Sequence, residues 1–92
     1  MKEQRHLLID QLLALRQLHL GKASFYTIEF RRIANRIGWP DELLIDLLRR
    51  GLVEEVRKKF DKEEKPESLF EATNPVINLD IKCFLDNKST NS

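Results

Sequence analysis

Residues 30–51 read FRRIANRIGWPDELLIDLLRRG, and the spacing of their apolar side chains leaves few ways to fold. Ile33, Ala34 and Ile37 line one face of a short helix, Gly38 sits where the chain must turn, and Leu44, Leu47 and Leu48 resume the 3/4 period after Pro40. A residue as small as Ala34 lets a second helix cross closely, and Gly38 can take positive φ without steric cost. Two short helices meeting at a tight turn are the expectation.

The flanking segments extend the pattern. Glu3 to Leu20 reads as a first helix whose apolar residues, Leu7, Leu8, Leu12, Leu15 and Leu18 among them, spread nearly all the way round. An ordinary surface helix buries one stripe, so a second apolar side here points to self-association. Gly21 closes this helix, and Lys22 to Tyr26 reads as a short connection with a brief strand around Phe25 and Tyr26. Thr27 is placed to cap the next helix, about Ile28 to Ile37. Pro40 and Asp41 open the third, which ends at Gly51 in the position of a left-handed cap.

Beyond Gly51 the expectation is a hairpin. Leu52 to Phe60 reads as a strand, the charged run Asp61 to Glu67 with Pro66 as its tip, and Ser68 to Thr73 as the returning strand. After Asn74-Pro75, residues Ile77, Ile81, Phe84 and Leu85 share a helical face. Ile77, Leu79, Ile81, Cys83 and Leu85 also alternate as in a half-buried strand, but Asn74-Pro75 is a good helix start and helix is preferred.

Length and residue usage narrow the class of function. Ninety-two residues make one small domain, expected over 1–86 with 87–92 as a frayed tail. No apolar run approaches the roughly 20 residues needed to span a bilayer, and the N-terminus does not read as a signal peptide. Cys83 has no second cysteine to bridge to, which fits a reducing, cytoplasmic setting. His6 and His19 are too far apart to form an i, i+4 metal pair, and there is no Gly-rich phosphate loop or nucleophile elbow. The chain is therefore expected to be no enzyme, with no catalytic residue, cofactor, metal or small-molecule ligand.

In this order of elements the chain resembles the winged-helix branch of the helix-turn-helix proteins, many of them small prokaryotic transcription regulators. The carriers are TIEFRRIANRIG, DELLIDLLRRGLVEE and LFEAT, within Thr27 to Thr73. The resemblance implies an α+β fold, mainly α: helix 1 over 3–20, a helix-turn-helix over 27–50, a β-hairpin wing over 52–73 and a C-terminal helix over 75–86. It also implies that Asp41 to Arg50 lies in the major groove of DNA and that Arg57 to Pro66 touches phosphates or the minor groove.

Charge distribution leaves two readings. In the first the chain is a dimeric, DNA-binding transcription regulator. Arg31, Arg32 and Arg36 would grip phosphates, with Arg49 and the wing residues Lys58, Lys59 and Lys62. Against this stands the small net charge of +1, with the basic excess confined to residues 1–39. Asp41, Glu42 and Asp46 would also face a phosphate lattice. The alternative is a protein-interaction or assembly module with little or no DNA affinity. Both readings expect a homodimer, through Leu8, Leu12 and Leu15 of helix 1 and Ile81, Phe84 and Leu85 of the C-terminal segment. Neither needs a membrane.

Overall fold

The computed structural model describes residues 2–90. They form five helices: α1 (Lys2–Ala14), α2 (Ala23–Ile37), α3 (Asp41–Arg50), α4 (Glu54–Lys62) and α5 (Leu69–Thr90). There is no strand among the described residues. The α+β winged-helix expectation is overturned, because the stretch assigned to the wing forms α4, a linker and the start of α5.

The physical reason lies in the spacing. Leu52, Val56 and Phe60 recur every four residues and all three are buried, which is a helical stripe rather than a pleat. Glu54 and Glu55 fall in the first turn of α4, with Lys59 and Lys62 in its last, so the charges also complement the helix dipole. The returning strand fails for a second reason. Ser68 Oγ accepts the Glu71 N–H at 3.1 Å while the Glu71 carboxylate accepts the Glu67 N–H at 3.3 Å. That is close to a capping box, and it starts a helix at Leu69. The helix runs on through Pro75, which has no N–H to offer the Glu71 carbonyl. Leu69, Ala72, Val76 and Cys83 are its buried apolar stripe. Residues 75–86 are thus helical, and α5 runs on to Thr90. Residues 91 and 92 of the expected tail lie outside the described residues.

The helix pair at the centre is as its spacing suggests. α2 buries Tyr26, Phe30, Ile33, Ala34 and Ile37. Gly38 ends it in the left-handed region at φ 77°, its N–H donating to the Ala34 carbonyl at 3.0 Å. α3 follows at Asp41 and buries Leu44, Ile45 and Leu48. Three local details differ. Thr27 does not cap α2, which starts a turn earlier at Ala23; the Thr27 hydroxyl donates instead to the Ser24 carbonyl at 3.0 Å. The strand expected around Phe25 and Tyr26 is the first turn of that helix. Gly51 is right-handed, at φ −86°, and is glycine for another reason: a Cβ there would overlap the Tyr26 hydroxyl.

The first helix stops at Ala14, well short of Leu20. Residues 15–18 leave it as an irregular segment that passes the C-terminal end of α3 at Gly51 and the middle of α5 at Asp80 before turning into α2. α5 is the spine of the protein, packed against α2, α3 and α4, while α1 lies on α2. No helix among the described residues is long and apolar enough to cross a membrane.

Candidate assembly surfaces

Segment 15–22 is held in place by a single buried side-chain pair. Gln17 and Asp80 are each nearly inaccessible to solvent. The Gln17 amide nitrogen donates to Asp80 Oδ1 at 2.7 Å and to the His19 carbonyl at 3.0 Å. Its oxygen accepts the Val53 N–H at 3.3 Å, and its backbone N–H donates to the Gly51 carbonyl at 2.7 Å. Asp80 in turn accepts the Gly21 N–H at 2.8 Å and the Ala23 N–H at 3.0 Å. A carboxylate from α5 therefore serves as the N-terminal cap that α2 lacks in its own sequence. Tyr26, one turn into α2, donates its hydroxyl to the Leu48 carbonyl at 2.9 Å, and burial pushes its phenol well above the usual range. These groups fix the backbone on which the surfaces below are displayed.

The basic residues singled out in the sequence are scattered, and most are engaged with carboxylates. Arg32 makes a two-pronged contact with Glu29, at 3.1 and 2.9 Å. Arg49 does the same with Asp61, at 2.6 and 2.8 Å. These guanidinium hydrogen bonds hold the Glu29 and Asp61 carboxyls below their usual range. Lys58 lies 3.4 Å from Glu54 and Lys59 3.8 Å from Asp86. Arg31 stacks 5.0 Å from the Phe70 ring centre. Arg36 sits in the last turn of α2 beside Leu7, Leu8 and Gln11 of α1, and Lys62 ends α4.

The six apolar residues assigned to a dimer platform separate into two groups. Leu12 is in the core, 2% exposed, with Leu8 and Leu15 half-buried against it. Ile81, Phe84 and Leu85 are 48%, 40% and 54% exposed and share one outward face of α5 at i, i+3, i+4 spacing. The Phe84 ring borders Gly21, so closely that a Cβ on that glycine would lie 2.9 Å from the ring. Gly21 is left-handed at φ 90°.

A second apolar surface went unread in the sequence. Leu18 and Phe25 are among the most exposed large apolar side chains. With Leu15 and Tyr26 they line a groove of about 290 Å³ between segment 15–18 and the start of α2. Arg16 and Lys22 also line it, and the Lys22 ammonium lies 5.4 Å from the Phe25 ring centre. Leu18 reads as a continuing helix and Phe25 as a brief strand, so nothing local in the sequence places the two side by side. Gln17 and Asp80 were also missed: a polar residue in an apolar stripe, 63 positions from its partner, carries no local signal.

Residues 9–83 match a family model described as PEG10/RTL1, C-terminal capsid-like domain. Neither the curated proteins nor the solved structures yielded a match to the chain. The family match and the helical fold together overturn the winged-helix resemblance. The DNA-binding, transcription-regulating and prokaryotic-like character inferred from it falls as well.

Proposed function

The chain belongs to the PEG10/RTL1 C-terminal capsid-like domain family, and on that footing we propose that it is a non-enzymatic structural domain that joins copies of itself into a larger assembly. This is the interaction-module reading of the sequence, and a capsid-like family description supports it. A reducing, cytoplasmic setting accords with the buried thiol of Cys83.

The observation that carries the proposal is the outward face of α5. Three large apolar residues stand together there on a rigid helix, and Phe84 is seated against Gly21. A single exposed leucine is ordinary, but a clustered apolar face marks a contact surface. Pairing two such faces about a two-fold axis would bury both at once, since each copy presents the same patch.

Sedimentation equilibrium tests this reading. The protein is expected to pair at micromolar concentration, and Ile81→Asp with Leu85→Asp to lose that two-copy step with unchanged helical circular dichroism. Both positions are exposed, so the substitutions spare the core. A wild-type protein that is monomeric at every concentration, or a variant that dimerises like wild type, overturns α5 pairing.

A further inference from the structure

Besides pairing through α5, we propose a second, head-to-tail contact, in which Leu43 at the acidic start of α3 in one copy seats in the 15–25 groove of the next. The proposal rests on the assembly reading above and names a different partner surface for it.

The groove is apolar within and cationic at its walls. Arg16 Nη1 is tied to the carbonyls of Leu13 and Leu15 at 2.7 and 2.8 Å. These bonds fix the guanidinium without neutralising it. Lys22 is held over the Phe25 ring. Neither cation has a carboxylate within ion-pair distance among the described residues. The acid that does line the groove, Glu29, is occupied by Arg32. An occupant must therefore bring an apolar side chain with carboxylates next to it.

The start of α3 has that chemistry. Asp41, Glu42 and Leu43 are consecutive and all exposed, Leu43 at 42%. Asp46, the remaining acid of this helix, is paired with Arg50 at 3.1 Å, whereas Asp41 and Glu42 have no ion pair among the described residues. The helix dipole accounts for two carboxylates at an N-terminus. Leu43 stands exposed beside them and supplies the apolar side chain that the groove calls for. A groove of about 290 Å³ accommodates a leucine side chain with space to spare.

Position makes the contact intermolecular. The groove opens at the first turn of α2, and Asp41 follows its last. At 1.5 Å per residue the two are separated by about 20 Å along that helix, so one copy cannot satisfy its own groove. A contact between unlike surfaces repeats from copy to copy until it closes a ring or runs open-ended. The α5 face, being self-complementary, stops at two. One contact of each kind is sufficient to carry assembly past the dimer.

The test is analytical ultracentrifugation of the full chain across a concentration series. Wild type is expected to grow beyond the dimer, more weakly as salt is raised. Lys22→Glu and Glu42→Lys should each raise the concentration needed for growth by about tenfold or more, because like charges then face each other. Both changes in one chain should restore growth. Leu43→Ser, which alters no charge, should weaken it by about tenfold, and circular dichroism checks that every variant keeps its helices. Wild type that halts at the dimer overturns the head-to-tail contact and leaves α5 pairing standing. Single reversals without effect, or a double reversal that recovers nothing, overturn it equally. In the α5 variants, growth one copy at a time through the head-to-tail contact is expected to persist; growth in steps of two copies, as in wild type, overturns α5 pairing alone.

Discussion

Gln17 and Asp80, 63 residues apart in the chain, are joined by a buried 2.7 Å hydrogen bond, and through it the irregular segment after α1 is sewn to the C-terminal helix. Asp80 also receives the backbone N–H groups of Gly21 and Ala23. Asp80→Ala removes the acceptor of three N–H donors, two of them buried and one partly so. Each unsatisfied buried group costs about 1–3 kcal/mol, so the expected loss is about 2 kcal/mol or more in urea unfolding. Asp80→Asn keeps one acceptor oxygen and should lose less. Equal stability of Asp80→Ala and wild type would show that water replaces the carboxylate.

Tyr26 and Gly51 form a second coupled pair. A Cβ at Gly51 would collide with the Tyr26 hydroxyl, which itself donates to the Leu48 carbonyl. Gly51→Ala is expected to destabilise by about 1–3 kcal/mol through overpacking. Tyr26→Phe should cost about 1–2 kcal/mol for the lost hydrogen bond. Combined, they should cost less than their sum, because the phenylalanine relieves part of the clash. Strict additivity in thermal unfolding would mean that the two side chains do not meet.

The start of α5 offers a milder test. Ser68 accepts the Glu71 N–H, and Ser68→Ala removes that cap at an expected cost of about 1 kcal/mol, with Ser68→Asp retaining most of the stability. Chemical denaturation reads both.

Acid should weaken the arginine–carboxylate pairs. Hydrogen bonds from Arg49 and Arg32 depress the Asp61 and Glu29 carboxyls in the folded protein. A depressed carboxylate stabilises the fold above its unfolded value and loses that contribution as pH falls through the folded one. The melting temperature should therefore fall between about pH 5 and pH 3. Arg49→Gln should narrow the difference between neutral and acidic pH. Both pairs are exposed, so the effect is small and shrinks with salt.

Cys83 is buried, and that burial pushes its thiol pKa up. A thiol-specific reagent at about pH 8 should label it slowly in native protein and quickly in urea. Fast labelling without denaturant would place α5 in an opened state.

The parts of the fold legible in the sequence are those whose cause is local. Gly38 announced its own turn, and the bounds of α3 follow from Pro40-Asp41 and the leucines after them. The preferred helix near Ile81 also stands. Where distant groups decide, the reading failed. Leu15, Leu18 and Leu20 look like a continuing helix, and nothing near them reveals that Gln17 leaves it to reach Asp80. Leu52, Val56 and Phe60 carried a legible helical period that the hairpin reading set aside, together with the Ser68-Glu71 cap. Of the surfaces, the shared helical face of Ile81, Phe84 and Leu85 is legible in their spacing, and α5 carries all three on one exposed side. The groove could not be, since Leu18 and Phe25 meet only once the segment between them is bent.

The N-terminus of α2 has its acceptor more than fifty residues downstream, on the last helix. A version of this protein truncated before Asp80 lacks the acceptor for the Gly21 and Ala23 N–H groups and should hold the start of its central helix less firmly. Unfolding of the C-terminal helix is expected to loosen residues 17–23 with it, tying the two ends of the fold into a shared transition.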